Sequence, residues 1–319
     1  MASMAAETEL SEEVWSPEQQ IQELLKRTGV YDSTLVERLS FKPNPDDVIV
    51  AVPPKNGTTW LLHLCHQIRM QGQEPNFEDQ NDVIGMLELL EVSKKTGRRL
   101  TTLDQPSKPR IFATHRPYDF VPKGGRIIYC FRDQSDAALS YYYFLDTLFS
   151  LRGRVSLLIF AQHYVLEKIE FHLKDLLVWW EHRHDNGLLV LFFDDLKEDH
   201  EGGVHRIAKF MGVECNDDII ARVVHTTTHA EMARHQSKFG VRRFATFIAD
   251  KLGENPPPEG ESVSRVRKDG GKSGEGKQRL PVEIQQRINQ MWQDIVTAKL
   301  GFKDLKEMRE SWQKEQNES

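Results

Sequence analysis

The stretch Val48-Ile-Val-Ala-Val-Pro-Pro-Lys-Asn-Gly-Thr-Thr-Trp60 decides the expected fold, because it predicts a strand, a loop and the start of a helix. Residues 48–52 are apolar and mostly β-branched, which is typical of a strand buried on both faces. Two prolines end this strand, and Gly57 lets the backbone pass close to a ligand. The Thr58-Thr59 pair places hydroxyls and free N–H groups at a helix N-terminus, which attracts anions. We therefore predict a site for a nucleotide or another phosphorylated ligand, with Lys55 as a cation at its mouth.

The composition is that of a globular chain with room for a large core. The 319 residues are 39% apolar and 28% charged, with a net charge of −6. A net negative charge argues against broad nucleic-acid binding, so the predicted anion site must be a local basic pocket. The cysteines Cys65, Cys130 and Cys215 lie far apart in apolar segments, which favours free thiols in a reducing compartment. The chain shows neither a signal-peptide pattern nor an apolar run of about 20 residues, so we expect a cytoplasmic protein without a membrane partner.

Three further apolar segments resemble the first strand, and each is followed by polar residues and a helical pattern. Strands that alternate with helices predict an α/β fold, here a single domain with a central parallel sheet flanked by helices. The further strands are predicted at 110–114, 125–131 and 187–193, and helices at 135–149, 156–184 (whole or broken), 203–211, 217–224 and 281–297. The expected divisions are a disordered tail at 1–15, a domain at 16–302 with a flexible closing loop at 254–279, and a C-terminal helix or tail at 303–319.

Charged or titratable side chains follow the predicted strands, at the point where each strand ends. These residues are Lys55, His115, Arg132 and Asp194. Open parallel sheets bind ligands beyond the carboxyl ends of their strands. We therefore expect these side chains to converge on one crevice.

Four motifs, in order along the chain, resemble those of the cytosolic sulfotransferases that use 3′-phosphoadenosine 5′-phosphosulfate (PAPS). Residues 54–60 are similar to the 5′-phosphosulfate loop of that family, and residues 129–140 resemble its 3′-phosphate motif. Thr114-His115 matches the catalytic Thr-His context, and residues 267–277 resemble the closing Arg-Lys and G-x-x-G-x-x-K motif. The resemblance implies a P-loop-like nucleotide-binding topology, PAPS as sulfonate donor, adenosine 3′,5′-bisphosphate (PAP) as product, and no metal.

The resemblance also assigns catalytic roles to three residues. Lys55 would stabilise the leaving phosphate, and Ser140 would pair with Lys55 until the acceptor arrives. His115 is suited to act as general base, since the unperturbed histidine pKa of about 6.5 lies near cytosolic pH. The cofactor-binding residues implied are Lys55, Asn56, Gly57, Thr58, Thr59, Trp60, Arg132, Ser140, Phe193, Thr227, His229, Arg267, Lys268 and Gly270.

Departures from the family pattern leave the acceptor chemistry and the oligomeric state open. Ala113 stands where the family often has a lysine, so the sulfonate must be stabilised from elsewhere or not at all. The segment after Lys277 matches the dimer motif of the family only in part, which leaves a homodimer as one alternative. The acceptor pocket should use residues near 78–95, 141–165 and a loop at 230–258, where apolar residues favour a small apolar or aromatic acceptor with a hydroxyl or amine. The aromatic and aliphatic candidates are Phe144, Leu145, Phe149, Phe239, Phe244 and Phe247.

Two other interpretations compete with a sulfotransferase. Residues 271–277 satisfy most of the P-loop kinase pattern G-x-x-x-x-G-K-[ST], but Gln278 follows where a hydroxyl would bind Mg²⁺. The alternative of a non-catalytic nucleotide-binding homologue rests on Ala113, while Lys55 and His115 argue against it. Histidine and cysteine spacings show no metal motif.

Overall fold

One five-stranded parallel sheet organises the fold, in the order β2-β3-β1-β4-β5. The computed structural model describes residues 15–35, 39–73, 77–105, 107–149, 151, 154–258, 264–267 and 272–318. The strands are β1 (Val48–Ala51), β2 (Gly85–Met86), β3 (Ile111–Thr114), β4 (Arg126–Phe131) and β5 (Leu188–Phe192). From β1 the chain turns first towards β2 and β3 and then crosses to β4 and β5. The crevice beyond the carboxyl end of β1 is thus the switch point where such sheets bind ligands.

Helices cover both faces of the sheet, as the alternating pattern predicts. A π-helical segment, Ala161–Val165, joins α5 to α6, and a second, Gln293–Thr297, joins α13 to α14. The α-helices are α1 (Pro17–Leu35), α2 (Thr58–Arg69), α3 (Leu87–Thr96), α4 (Gln134–Phe149), α5 (Leu157–Phe160), α6 (Leu166–Glu181), α7 (Phe193–Glu198), α8 (His200–Met211), α9 (Asp217–Thr226), α10 (His229–Arg234), α11 (Arg242–Leu252), α12 (Glu275–Arg279), α13 (Val282–Trp292), α14 (Ala298–Leu300) and α15 (Leu305–Glu318).

The two faces of β1 belong to different hydrophobic cores. Ile49 and Ala51 pack into the core that contains α4, α6 and α13, whereas Val48 and Val50 pack into the core that contains α2 and α8. Successive side chains of a strand point to opposite faces, so an uninterrupted apolar run fits only a strand that is covered on both sides. The predicted α/β fold with a central parallel sheet is confirmed.

The sequence patterns miss several short elements. The two-residue strand β2 and helix α3 were not predicted, and α11 lies inside the segment expected to be the 230–258 loop. The apolar residues Phe244, Phe247 and Ile248 of α11 recur at helical spacing and are buried. Helix α12 likewise forms the last five residues of the predicted closing loop.

Some predictions fall on residues that the structure does not describe. These are the tail up to residue 14 and the cofactor-binding candidates Lys268 and Gly270. Within the described ranges, no helix is both long and apolar enough to cross a membrane.

Candidate active site

A cavity of about 420 Å³ lies at the carboxyl ends of the strands. Lys55, His115 and Arg132 line it, as their positions after β1, β3 and β4 predict. Asp194 does not line it. It lies in the first turn of α7 and accepts a hydrogen bond from Ser273 Oγ at 2.8 Å, so the expected convergence holds for the cations and the imidazole but not for the carboxylate.

The loop between β1 and α2 has the backbone of an anion cradle. Gly57 has φ of 92° and precedes the first residue of α2. A Cβ at this position would lie 2.9 Å from a ring carbon of Phe193, so only glycine fits. The hydroxyl of Thr58 is buried without a hydrogen-bond partner in the described part of the chain. An orphaned hydroxyl at a helix N-terminus fits a phosphate oxygen.

Lys55 adopts a left-handed conformation with φ of 69°, which is unusual for a residue with a side chain. Its carbonyl oxygen accepts a hydrogen bond from Arg132 Nη1 at 2.6 Å, and this bond stabilises the conformation. The Lys55 ammonium lies 4.5 Å from the ring centre of Phe144, inside the cavity. Burial, together with the neighbouring Arg265, Arg132 and Arg267, lowers the pKa of Lys55 to about 7. The mouth of the cavity is therefore strongly electropositive and favours a polyanion.

Arg132 and Ser140 come together on the side of the cavity formed by β4 and α4. The Arg132 guanidinium lies 4.3 Å from the ring centre of Phe193, and its Nε is buried without a hydrogen-bond partner among the described residues. This orphaned donor fits an oxygen of a second phosphate group. Arg267 also lines the cavity, but both of its terminal nitrogens contact the carboxylate of Glu275, at 3.0 and 3.1 Å.

His115 is held in one orientation by two contacts that the sequence analysis did not predict. Its Nδ1 lies 2.7 Å from the carbonyl oxygen of Val52. A carbonyl can only accept, so Nδ1 carries the hydrogen, and the neutral ring presents a free lone pair at Nε2. The backbone N–H of His115 and the hydroxyl of Thr114 both donate to Glu88 Oε1, at 2.8 and 2.7 Å.

The electrostatic surroundings keep His115 neutral. Burial lowers the pKa of His115, and the cations Lys55 and Arg265 act in the same direction. The carboxylate of Glu88 and the hydrogen bond to Val52 oppose this shift. A neutral imidazole that is oriented by its Nδ1 hydrogen is suited to accept a proton at Nε2.

The predicted adenine contacts are brought together only in part. Trp60 meets the ring of Phe193 edge-on at 5.5 Å, and both line the cavity with His229. Thr227 is fully buried outside the cavity lining, because its hydroxyl donates to Val223 O in the preceding turn. Its carbonyl oxygen instead accepts from Trp60 Nε1 at 2.9 Å. Asn56 is similarly buried, 2% exposed, and contributes nothing to the lining.

The closing glycine motif docks on α4. The N–H groups of Gly274 and Gly276 donate to the two carboxylate oxygens of Asp136, at 2.8 and 2.7 Å. In a P-loop, backbone N–H groups of this kind bind phosphate. Here a protein carboxylate occupies them, and the described residues 264–267 and 272–273 before them form no extended strand, so the structure does not favour the kinase interpretation.

We expect Gly276→Ala to lower the free energy of unfolding by about 1–3 kcal/mol, the usual cost of overpacking. A Cβ on Gly276 would lie 2.2 Å from the carbonyl carbon of Ser135, so α12 must move away from α4. Urea unfolding measures the change. Gly187→Ala is the matched control, because its added Cβ would meet only Gly125 O at 3.8 Å. Equal stability of the two variants would contradict the close packing.

Part of the cavity lining is apolar. Of the six predicted acceptor-pocket residues, Phe144 and Phe244 line the cavity, and the other four are buried in the protein core. Further apolar lining comes from the predicted segments 78–95 and 230–258, although its residues were not named individually from the sequence. Among them are Ile84, Met86, Leu89 and Val241.

Comparison with known proteins gives consistent results at the levels of family, sequence and fold. A family model described as a sulfotransferase domain matches residues 45–310. Human Sulfotransferase 1E1 is 30% identical over 210 residues, which cover 62% of this chain and 70% of that protein. The amine sulfotransferase of Oryctolagus cuniculus is 25% identical over 272 residues, covering 82% and 85%.

Two solved structures share the fold at low sequence identity. One is retinol dehydratase in complex with androsterone and the inactive cofactor PAP, with a TM-score of 0.63 and 19% identity, covering 88% of this chain and 94% of that one. The other is mouse sulfotransferase SULT7A1 complexed with PAP, with a TM-score of 0.55 and 19% identity, covering 82% and 90%.

Proposed function

The chain belongs to the sulfotransferase family, and from this premise we propose that it transfers the sulfonate of PAPS to a small, apolar or aromatic acceptor. The predictions of the family and of a PAPS-dependent sulfotransferase are confirmed by the family match. The observation that carries the finer proposal is the meeting of Lys55, Arg132 and His115 around one cavity that also has apolar lining residues.

The two ends of the donor would be held by separate cationic groups. The N–H groups of residues 57–59 and the orphaned Thr58 hydroxyl would bind the 5′-phosphate. Arg132 and Ser140 would bind the 3′-phosphate, with Arg267 reaching it beside its ion pair to Glu275. Trp60 and Phe193 would contact the adenine. Binding of two separate phosphate groups would distinguish PAPS from ATP, whose phosphates form a single chain.

The chemistry assigned to His115 is general-base catalysis. Nε2 would take the proton of the acceptor hydroxyl or amine while the acceptor atom attacks sulfur in line. The bond between sulfur and the bridging oxygen breaks, and its electrons stay on the departing 5′-phosphate of PAP. Lys55 would stabilise this developing charge, since it is most useful as a cation where negative charge grows in the transition state.

The acceptor class follows from the apolar part of the cavity lining. Leu89, Val241, Phe144 and Phe244 offer contact to an apolar or aromatic body, while His115 requires a hydroxyl or amine beside it. We propose a small-molecule acceptor and a cytoplasmic location. A homodimer and the absence of nucleic-acid or membrane partners stay predictions, as does operation without a metal. Among the described residues, no cluster of acidic, histidine or cysteine side chains could hold one.

Transfer assays with radiolabelled PAPS test the proposal on a panel of phenols, steroids, amines and polar alcohols. We expect labelled product and stoichiometric PAP release in the presence of a chelator. Transfer of γ-phosphate from ATP with Mg²⁺, without sulfonate transfer, would overturn the proposal in favour of a kinase. Tight PAP binding by calorimetry without turnover of any acceptor would instead indicate a non-catalytic homologue.

A further inference from the structure

We propose that Arg265 stabilises the migrating sulfonate group. Ala113 stands where the family often has a lysine for this role. The inference rests on the proposed function and adds to it a catalytic residue that the motif resemblance does not include. Ala113 lines the cavity directly before the Thr114-His115 pair and brings no charge to it. A cation that serves the sulfonate must therefore enter from another element, and Arg265 also lines this cavity.

Arg265 is held by the backbone and by neutral partners. Its N–H donates to Phe239 O at 3.0 Å, and an isolated antiparallel bridge pairs Ser264 with Gly240. In the side chain, Nε donates to the same carbonyl at 3.3 Å and Nη2 to Gln80 Oε1 at 3.2 Å. The next residue, Val266, packs on Phe239. Arg265 is thus positioned by contacts that leave its charge intact.

No carboxylate among the described residues contacts Arg265; burial lowers its pKa and outweighs Asp79, which raises the pKa only from a distance. Arg267 pairs with Glu275, and Arg243 pairs with Asp82 at 2.6 Å, but Arg265 makes no ion pair there. Its Nη1 group also has no hydrogen-bond partner in the described ranges. A desolvated guanidinium with free donors is costly unless an anion binds to it.

The position of Arg265 favours the reacting group over either phosphate. Gln80 joins it to the phosphate loop, since Gln80 Nε2 donates to Thr59 O at 3.4 Å. Among the charged neighbours of Lys55, Arg265 lowers the lysine pKa most, and it also lowers the pKa of His115. Arg265 therefore acts on the leaving-group cation and on the base together, and the sulfonate must lie between these two.

In the transfer step Arg265 contributes only hydrogen bonds and positive charge. As the bond to the bridging oxygen breaks and the bond to the acceptor forms, the three peripheral sulfonate oxygens keep their negative charge. The planar guanidinium offers parallel donors that match two such oxygens. An alternative anion for Arg265 is a carboxylate on the acceptor. The apolar lining by Leu89, Val241 and Phe244 favours the sulfonate instead.

Kinetics of the Arg265→Ala variant with a neutral acceptor test this role. We expect kcat to fall on the order of 10²–10³-fold, as for loss of one transition-state donor. Binding of PAP, which has no sulfonate, should stay close to that of the unaltered protein. The double variant Arg265→Ala/Ala113→Lys should recover part of kcat, since it returns a cation to the same region. Arg234→Ala is the control for lost positive charge, because Arg234 is 70% exposed outside the cavity.

Three results would overturn the inference. One is unchanged kcat in Arg265→Ala, with sulfonate transfer intact. Another is a raised KM confined to acidic acceptors, which would assign Arg265 to the acceptor carboxylate. The third is an equal loss of PAP affinity and kcat in a variant with normal thermal unfolding. If the unaltered protein transfers no sulfonate to any acceptor, the proposed function itself fails, and this outcome is distinct from those three.

Discussion

Replacing His115 with asparagine is expected to lower kcat by about 10²–10⁴-fold, the usual contribution of a general base. The asparagine amide can still donate to Val52 O, the partner of Nδ1 at 2.7 Å, so the strand end should keep its geometry. The variant lacks a basic atom in place of Nε2. PAP affinity should therefore be nearly unchanged, which calorimetry measures beside steady-state kinetics. The exposed His205 provides the control variant His205→Asn.

The pH profile gives an independent check on His115. A base works only when it is neutral, and the pKa of His115 lies below 6.5 in the free site. Hence the acid limb of kcat/KM for PAPS, which reports the free enzyme, should have its midpoint below pH 6.5, and deprotonation of Lys55, with its pKa of about 7, should give a separate alkaline limb. The charged groups that set the acid limb are Lys55, Arg265 and Glu88. An acid limb with its midpoint above pH 6.5, or near-normal turnover of the asparagine variant, would contradict the assignment.

Replacing Lys55 with alanine is expected to lower kcat on the order of 10²–10³-fold, because the leaving oxygen loses its cation. The effect on PAP affinity should be smaller, since residues 57–59, Arg132 and Ser140, which we propose as phosphate contacts, are unchanged in this variant. Lys209→Ala, on the exposed face of α8, controls for the loss of a lysine.

Proton uptake tests whether Lys55 is the titrating group. With a pKa of about 7, Lys55 is mostly deprotonated at pH 8 in the free site. A bound polyanion raises this pKa and recharges the amine, so PAP binding at pH 8 should take up a proton. Calorimetry in two buffers of different ionisation enthalpy measures the uptake, and Lys55→Ala should abolish it. Uptake that persists in this variant would show that another group titrates.

Local patterns were sufficient for the strands β1, β3, β4 and β5 and for the glycine turn between β1 and α2. The run 48–52 is apolar at every position, which only a strand covered on both faces allows, and the two cores confirm it. Gly57 was predicted to let the backbone approach a ligand, and it has φ of 92°. Lys55, His115 and Arg132 were placed together by the rule for parallel strand ends, and all three line the cavity.

The same reasoning failed where a side chain forms a hydrogen bond with the nearby backbone or with a residue distant in the sequence. Asp194 follows β5 as the others follow their strands, yet it bonds to Ser273 and not to the cavity. Thr227 lies at the expected place in the chain, but its hydroxyl donates a hydrogen bond to Val223 O in the preceding helical turn. Helix α11 was missed because prolines and glycines just beyond it favoured a loop.

The sequence by itself determined the longer strands of the parallel sheet, the glycine turn between β1 and α2 and the sulfotransferase motifs, since these depend on local backbone preference and short spacing. Only the tertiary structure decided which charges act on one another. Glu88 reaches His115 through the unpredicted helix α3, and Arg265 faces Lys55 because its segment pairs with residues near Phe239. Electrostatic influence depends on distance through the folded protein and on burial, and neither can be obtained from separation along the chain.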